Sequence, residues 1–548
     1  MAEFDYPSVD FQTHPDRYLH WNLQYDGPVA TLTMQIQEDK PLWDGRYDLK
    51  LNSYDLGVDI ELNDAITRLR FEHPEVRSVV VTGGYDKVFC AGANIRMLGM
   101  SPHAFKVNFC KYTNETRCMI EESSEEAGQV FIAALNGTAS GGGYELALAC
   151  EHILLIDDGN AAVSLPEVPL LGVLPGTGGL TRLTDKRKVR RDIADVFCTK
   201  AEGFRARDAK KFRLIDASYP RSKWGAGVQA YAADIAEKAA AEVPKSGAAV
   251  KLPALSIDHS DDGWSYGNVS VRVEGRIAHL TMTGPTDSPE RSPDTWNLRA
   301  FRELEDALLR LRLNHLDVGL IIIKTEGDAS AVLAHEAWLA DNVANTDDFF
   351  YAEVKRYQAR VLRKVDNMAK SVFALVEEGH CFVGTLFEVV LAADRSYMFM
   401  DDDGENSVRL TSANFGAFPM AAGCSRMENR FPGEPELIEQ AREAIGDDIE
   451  AEDAFEEYGL VTASLDDIDY EDEVRIAVEE RVSMSPDALT GMEQNLRFGG
   501  AESAENKIYG RLSAWQNWIF QRPNAVGQRG ALTLYGQPER PVFDFRRT

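Results

Sequence analysis

The sequence predicts an α/β protein in which one unit of about 240 residues occurs twice and is followed by a helical region. The segment VATLTM at 29–34 recurs as IAHLTM at 277–282, which is 248 residues later. Each copy continues through a helical pattern into an apolar strand, SVVVTGG at 78–84 and GLIIIKTEG at 319–327. A fixed internal spacing indicates repeated architecture, and strands separated by helices are typical of parallel crossover units.

This repeat predicts three regions. The first copy covers 1–255, the second covers 264–433, and 434–548 forms an acidic helical region with a C-terminal tail. A polar, alanine-rich stretch at 239–262 is expected to be the linker between the two copies. The final segment, YGQPERPVFDFRRT, is expected to lie over another surface of the protein.

The chain is strongly acidic, with 88 Asp and Glu against 58 Lys and Arg and a formal net charge of −30. The stretch 434–480 alone contributes −17 of this charge. Nucleic acids and anionic membranes attract a surplus of Lys and Arg, so this balance argues against both as partners. The first residues, MAEFDYPSVD, do not have the pattern of a secretory signal, so we expect none. No apolar run of the sequence is long enough to span a bilayer, and the seven cysteines show no CxxC spacing. We therefore expect a cytoplasmic protein without a metal site.

Two glycine-rich turns in the first copy indicate the kind of site that the protein contains. VFCAGANI at 88–95 and NGTASGGGYELALA at 136–149 each place small residues between a strand and a helix. Small residues allow a ligand to approach the backbone closely, and the first N–H groups of a helix have no partner within the helix. Two such turns can each direct one N–H group at a single oxygen. That arrangement is an oxyanion hole, which stabilises negative charge on a reacting carbonyl.

These turns, together with SLPEVPLLGVLPGTGGLTRL at 164–183, resemble the crotonase (enoyl-CoA hydratase/isomerase) superfamily. The resemblance covers nearly all of the first half and, in decayed form, much of the second half. It implies tandem crotonase-like ββα spiral units, of which the second is degenerate. It also implies that the backbone N–H groups of Ala93 and Gly142 hold the thioester oxygen of an acyl-CoA. Glu145 and Glu167 stand where hydratases of the superfamily keep their acid and base, and the sequence does not say which is which.

Three further features have two interpretations each. Asn94 stands where the superfamily often has Asp, and it is expected to cap a helix or to contact the substrate. Cys110 lies in a helical stretch over the expected pocket, where it is either a substrate contact or an inert thiol. The basic run TDKRKVRR at 184–191 either holds the phosphates of coenzyme A or forms a solvated helix face.

The second copy lacks most of these site residues. The positions that correspond to Ala93, Gly142, Glu145 and Glu167 are occupied by His335, Thr385, Glu388 and Thr411. Only one carboxylate is kept, and a half-assembled site can neither stabilise the oxyanion nor move both protons. We therefore expect the second copy to support the first without catalysing a reaction.

The whole chain is similar to the benzoyl-CoA-dihydrodiol lyase family, also called 2,3-epoxybenzoyl-CoA dihydrolases. The resemblance implies that 2,3-epoxybenzoyl-CoA and two waters give 3,4-didehydroadipyl-CoA semialdehyde and formate in aerobic benzoate degradation. It implies no cofactor, because coenzyme A is part of the substrate. Two alternatives are an enoyl-CoA hydratase or isomerase acting on another acyl-CoA, and a CoA-binding scaffold without activity. We expect a homodimer, because an internal duplication can supply a surface that another subunit would otherwise provide.

Overall fold

The computed structural model describes residues 7–401 and 404–548. The chain forms two compact units, Met1–Leu252 and Pro253–Thr548. The finer division of the second unit at residue 434 stays a prediction.

The first unit alternates strands and helices along most of its length. Its strands are β1 (Trp21–Asp26), β2 (Val29–Met34), β3 (Ser78–Gly83), β4 (Lys87–Cys90), β5 (Val130–Leu135), β6 (Gly137–Ser140), β7 (His152–Asp157), β8 (Ala162–Ser164), β9 (Phe204–Arg205) and β10 (Ala217–Pro220). Its helices are α1 (Leu56–Glu72), α2 (Ile95–Met100), α3 (His103–Glu125), α4 (Gly142–Ala149), α5 (Gly179–Thr181), α6 (Arg191–Thr199), α7 (Ala206–Lys211) and α8 (Trp224–Glu242).

The main sheet of the first unit has six strands in the order β1-β2-β3-β5-β7-β10. The β1 strand pairs antiparallel with β2, and the other neighbours are parallel, as the crossover pattern predicts. The predicted strand VATLTM coincides with β2, in which every second side chain is buried. The first four residues of β3 are all buried, which is typical of a strand covered on both faces.

A smaller sheet, in the order β4-β6-β8-β9, positions the two glycine turns. The β4 and β6 strands are parallel and adjacent. The first turn follows β4 at Cys90, and the second follows β6 at Ser140. Because adjacent parallel strands end at the same edge of a sheet, the two turns lie side by side.

The second unit repeats the strand–helix alternation. Its strands are β11 (Asp258–His259), β12 (Gly263–Ser265), β13 (Val269–Glu274), β14 (Ile277–Thr283), β15 (Leu320–Glu326), β16 (Ser371–Val376), β17 (Arg395–Phe399), β18 (Ser407–Val408), β19 (Ile449–Glu450) and β20 (Ala463–Leu465). Its helices are α9 (Trp296–Asn314), α10 (Ala329–Asn345), α11 (Phe349–Asp366), α12 (Phe387–Ala392), α13 (Arg426–Arg430), α14 (Pro435–Glu443), α15 (Ala451–Glu456), α16 (Tyr470–Ser483), α17 (Pro486–Arg497), α18 (Ala504–Asn506), α19 (Ser513–Ile519) and α20 (Pro523–Val526).

The sheet of the second unit has eight strands in the order β11-β12-β13-β14-β15-β16-β17-β20. From β14 to β20 all neighbours are parallel, as in the first unit. The predicted duplication is therefore confirmed in the main sheets. One difference affects the site: helix α10 begins three residues after β15 and replaces the first glycine turn.

The linker predicted at 239–262 is wrong for its first four residues, because helix α8 continues to Glu242. The C-terminal tail packs on its own unit as predicted. Arg547 donates to the buried carboxylate of Glu493, and the guanidinium of Arg276 lies 3.7 Å from the centroid of the Phe545 ring.

Within the described ranges, the helices are all too short or too polar to cross a membrane.

Candidate active site

The two glycine turns of the first unit touch each other. Gly92 has a φ of 93°, in the left-handed region that glycine tolerates best, and a Cβ at this position would lie 2.8 Å from the nitrogen of Gly142. Gly141, just before helix α4, has a φ of 54°. Glycine is favoured at both positions, because a side chain on Gly92 would push the two turns apart and a side chain on Gly141 would collide with the Glu167 carboxylate.

Most backbone N–H groups around this contact already have acceptors. Ala91 donates to Leu51 O (3.2 Å), Asn94 donates to Tyr54 O (2.8 Å), and Gly141 donates to Ser164 O (2.9 Å). Among the described residues, the N–H groups of Ala93 and Gly142 have no protein acceptor. Two unpaired donors on touching turns have the arrangement that an oxyanion requires.

Glu145 lies in the first turn of helix α4, and its side chain is buried. Its Oε1 accepts from the N–H groups of Thr177 (2.9 Å) and Gly179 (2.8 Å), and its Oε2 accepts from the Thr177 hydroxyl. Burial raises the pKa of Glu145, while the bonds from Thr177 and Gly179 act in the opposite direction. The segment LPGTGG therefore holds this carboxylate in one orientation.

Glu167 follows strand β8 and begins a π-helical turn, Glu167–Leu171. Its carboxylate lies beside Gly141, where a Cβ would come within 2.8 Å of Oε1. Its Oε2 is buried and has no hydrogen-bond partner among the described residues. Burial, followed by the negative charge of Glu145, raises the pKa of Glu167 to about 7.

The structure thus brings both predicted glutamates to the two turns but gives them different surroundings. Three hydrogen bonds hold Glu145, whereas Glu167 has an unpartnered oxygen and a pKa near neutrality. A group with a pKa near 7 can both accept and release a proton at neutral pH. The arrangement can therefore stabilise an oxyanion and transfer protons beside it.

Asn94 caps helix α2, because its Oδ1 accepts from Met97 N (2.9 Å). Its Nδ2 donates to Asp48 O and to Ser53 Oγ, at 2.8 and 3.1 Å. These bonds match the capping interpretation, and contact with the substrate stays a prediction.

Cys110 lies in helix α3 and is half-buried. Burial, together with the negative charges of Glu145 and Asp59, raises the pKa of its thiol to about 11. The thiol is therefore neutral at neutral pH and is a poor nucleophile. Its contact with the substrate also stays a prediction.

The basic run at 184–191 is largely paired within the protein. Arg187 forms a bidentate ion pair with Asp216 (both 3.0 Å), and Arg190 pairs with Asp192. Lys186 donates to Ala149 O (2.8 Å) and lies near Glu121. These pairs supply a structural reason for the basic residues.

In the second unit, the position of the oxyanion hole is filled. His335, the counterpart of Ala93, lies inside helix α10, where backbone N–H groups bond along the helix. Thr385, the counterpart of Gly142, donates its N–H and its hydroxyl to Oε2 of Glu336, at 2.5 and 2.6 Å. The Glu336 carboxylate therefore accepts the hydrogen bond that an acyl oxygen would otherwise accept from Thr385.

The retained Glu388 is also occupied. Its carboxylate accepts from Arg426 (2.9 Å) and from Asn414 (3.0 Å), and Arg426 also pairs with Asp366. Thr411, the counterpart of Glu167, caps a short 3-10 helix. These contacts give Glu388 a structural role inside the second unit.

No grouping of three or more His, Cys, Asp or Glu side chains that could hold a metal ion occurs in residues 7–401 and 404–548.

The first unit matches the enoyl-CoA hydratase/isomerase family of the crotonase superfamily. The enoyl-CoA hydratase/isomerase family model matches residues 48–254, which include both turns and both glutamates. A benzoyl-CoA-dihydrodiol lyase from Aromatoleum evansii is 52% identical over 549 residues, which cover 98% of each chain. The chain therefore belongs to the benzoyl-CoA-dihydrodiol lyase family of this superfamily.

Solved structures match a smaller part of the chain. An enoyl-CoA hydratase from Geobacillus kaustophilus HTA426 is 32% identical and covers 40% of this chain and 75% of its own, with a TM-score of 0.35. An enoyl-CoA hydratase from Bacillus anthracis is 27% identical and covers 40% of this chain and 76% of its own, with a TM-score of 0.33.

Sequence reasoning missed three residues. Thr177 orients Glu145, Glu336 fills the site of the second unit, and Tyr54 lies between the two turns. Thr177 lies in the conspicuous segment LPGTGG, so a search for donors to Glu145 could have found it. Tyr54 and Glu336 show no local signal, because their partners are about 40 to 90 residues away.

The raised pKa of Glu167 predicts a pH-dependent stability difference in E167Q. The ordinary pKa of Glu is 4.5 and the folded value is about 7, so the folded state binds the proton more tightly than the unfolded chain. The stability that Glu167 contributes at low pH is therefore lost as the pH rises through 7. Gln does not titrate, so the free energy of unfolding of E167Q, relative to the wild type, should increase between pH 5 and pH 8. Chemical denaturation at several pH values measures this difference, and a difference independent of pH would contradict it.

Proposed function

We propose that this protein opens the ring of 2,3-epoxybenzoyl-CoA with two waters, giving 3,4-didehydroadipyl-CoA semialdehyde and formate. The observation that carries the proposal is the 52% identity to a benzoyl-CoA-dihydrodiol lyase over 98% of the chain. Because this match includes the second unit, a plain hydratase or isomerase is not favoured. The unpaired donors and the two glutamates support an active enzyme rather than a CoA-binding scaffold.

The proposed chemistry uses the residues of the first unit. The epoxide reacts through its ring-expanded oxepin form, in which the bond between the two epoxide carbons is broken. The first water adds to the oxygen-bearing carbon next to the α-carbon, and opening of the carbon–oxygen bond, with proton transfer to carbon, leaves two aldehydes.

One carboxylate then removes a proton from the second water, which attacks the aldehyde carbon next to the α-carbon, and this carbon leaves as formate. The bond from this carbon to the α-carbon of the thioester breaks, and its electron pair moves into the thioester to form an enolate. The N–H groups of Ala93 and Gly142 hold the enolate oxygen, and the other carboxyl group returns a proton to carbon. Donors of this kind contribute roughly 2.7 to 4 kcal/mol each to the transition state.

The substrate carries its own coenzyme A, and we propose no further cofactor for this step. The unpartnered Oε2 of Glu167 is the carboxylate oxygen that is best placed to take a proton from water or to return one to carbon. The three bonds to Glu145 keep its position fixed during this exchange. The cytoplasmic location stays a prediction from the sequence.

The proposal is tested by incubating the protein with 2,3-epoxybenzoyl-CoA and, separately, with crotonyl-CoA. We expect formate and the semialdehyde from the first substrate. E145Q and E167Q should each lower formate release by at least about 10²-fold, because each variant removes a proton-transfer group, while binding of the CoA ester is kept. E388Q is the matched control: it changes the corresponding position of the second unit, and its formate release should equal that of the wild type.

Three outcomes would contradict the proposal. Hydration of crotonyl-CoA without formate from the epoxide would indicate a hydratase. Binding of both esters without turnover would indicate a scaffold. Full formate release by E145Q or by E167Q would remove that glutamate from the mechanism.

We also propose that the protein is a homodimer. Several apolar side chains of its C-terminal region are more than half exposed, including Leu496, Phe520 and Leu532. Exposed apolar surface of this kind is typical of protein–protein contacts. Light scattering should give about twice the chain mass of 60.9 kDa, and the mass of a single chain would contradict the dimer.

A further inference from the structure

Tyr54 contacts both turns of the oxyanion hole. Its N–H donates to Gly92 O (3.0 Å), and its carbonyl accepts from Asn94 N (2.8 Å). The Tyr54 backbone is therefore hydrogen-bonded to the residues on both sides of Ala93. Its side chain reaches the other turn, where a Cβ on Gly142 would overlap the Tyr54 hydroxyl oxygen. One residue thus fixes the backbone of the first turn and places a hydroxyl against the second.

The Tyr54 hydroxyl is fully buried and, among the described residues, has no acceptor for its proton. The neighbouring Arg117 side chain interacts with it but can only donate. Buried polar groups are normally hydrogen-bonded, because an unpaired buried hydroxyl costs folding free energy. Other buried tyrosines of the first unit follow this rule: Tyr144 donates to Leu214 O (2.7 Å), and Tyr47 donates to Asp55 (2.8 Å). The Tyr54 hydroxyl therefore lies beside the two turns, where an external acceptor is expected.

The surroundings of Tyr54 favour a neutral hydrogen-bond donor. Burial raises the pKa of Tyr54 well above its ordinary value, so the hydroxyl keeps its proton at neutral pH. The guanidinium carbon of Arg117 lies 5.4 Å from the centroid of the Tyr54 ring, and Arg117 pairs with Asp59 at 3.0 Å. A buried positive charge at this distance strengthens an O–H donor, because it favours negative charge on the phenolic oxygen.

We infer that the Tyr54 hydroxyl is a third donor to the thioester oxygen that the N–H groups of Ala93 and Gly142 hold. The inference rests on the proposed function and adds a residue to it. Glu167 Oε2, to which we assign a proton transfer, is likewise buried and without a hydrogen-bond partner among the described residues. The Tyr54 hydroxyl is similar to it, because it is buried and its proton has no acceptor among those residues. A donor of this kind acts most strongly on the charged enolate oxygen and therefore contributes to kcat more than to KM.

The test is Y54F, which removes the hydroxyl and keeps the ring. We expect kcat for formate release to fall on the order of 10²-fold, with KM changed by less than about threefold. The melting temperature should stay the same or rise, because the variant removes a buried hydroxyl whose proton has no acceptor among the described residues. Y144F is the matched control in helix α4. It should lower the melting temperature, because it leaves Leu214 O without its partner, and it should keep the wild-type kcat.

A Y54F variant with the wild-type kcat would overturn the inference, as would a fall in kcat together with a fall in melting temperature as large as that of Y144F. Failure of the proposed function gives a different result, since the wild-type protein would then release no formate. The ratio of kcat between Y54F and the wild type would in that case be measured on the acyl-CoA that the protein does turn over. Equal kcat values for Y54F and the wild type on that substrate would also overturn the inference.

Discussion

The close contact between two helix-opening turns is the constraint on which the rest of the first unit depends. Strands β4 and β6 must be parallel neighbours for the turns to meet, and Gly92 must lack a side chain for them to touch. In the part of the chain that the structure describes, the N–H groups of Ala93 and Gly142 beside this contact have no protein acceptors. Glu145, which lies in the helix that begins at the second turn, and Glu167, which lies beside Gly141, are brought to the same place by this arrangement.

The second unit shows how the same fold loses such a site. Its main sheet is kept, but helix α10 replaces the first turn, so position 335 has no N–H group to offer. The Glu336 carboxylate binds the remaining donor, Thr385, and Arg426 neutralises the retained Glu388. The Thr385 N–H and the Glu388 carboxylate thus have hydrogen-bond partners inside the protein. Such partners are needed because buried polar groups without hydrogen bonds destabilise the folded state. These contacts support the proposal that the chemistry belongs to the first unit.

Much of this architecture could be predicted from local sequence patterns. The repeat, the strands VATLTM and SVVVTGG, and the two glycine turns depend on alternation and on small residues within short segments. Glu145 lies inside the second glycine turn and Glu167 lies in the following segment SLPEVPLL, and the resemblance to the superfamily assigns both. Tyr54 and Glu336 were not found, because their roles come from contacts between distant parts of the chain. The pairing of the basic run was missed for the same reason, since Asp216 is 29 residues from Arg187.

The central claim is that the two turns of the first unit hold and polarise a thioester oxygen. Difference infrared spectroscopy of benzoyl-CoA, labelled with carbon-13 at the thioester carbonyl, measures this most directly. Hydrogen bonds to the oxygen weaken the carbonyl bond, so the labelled band should move to lower wavenumber when the ester binds to the protein. A bound ester whose band stays at its position in water would contradict the account.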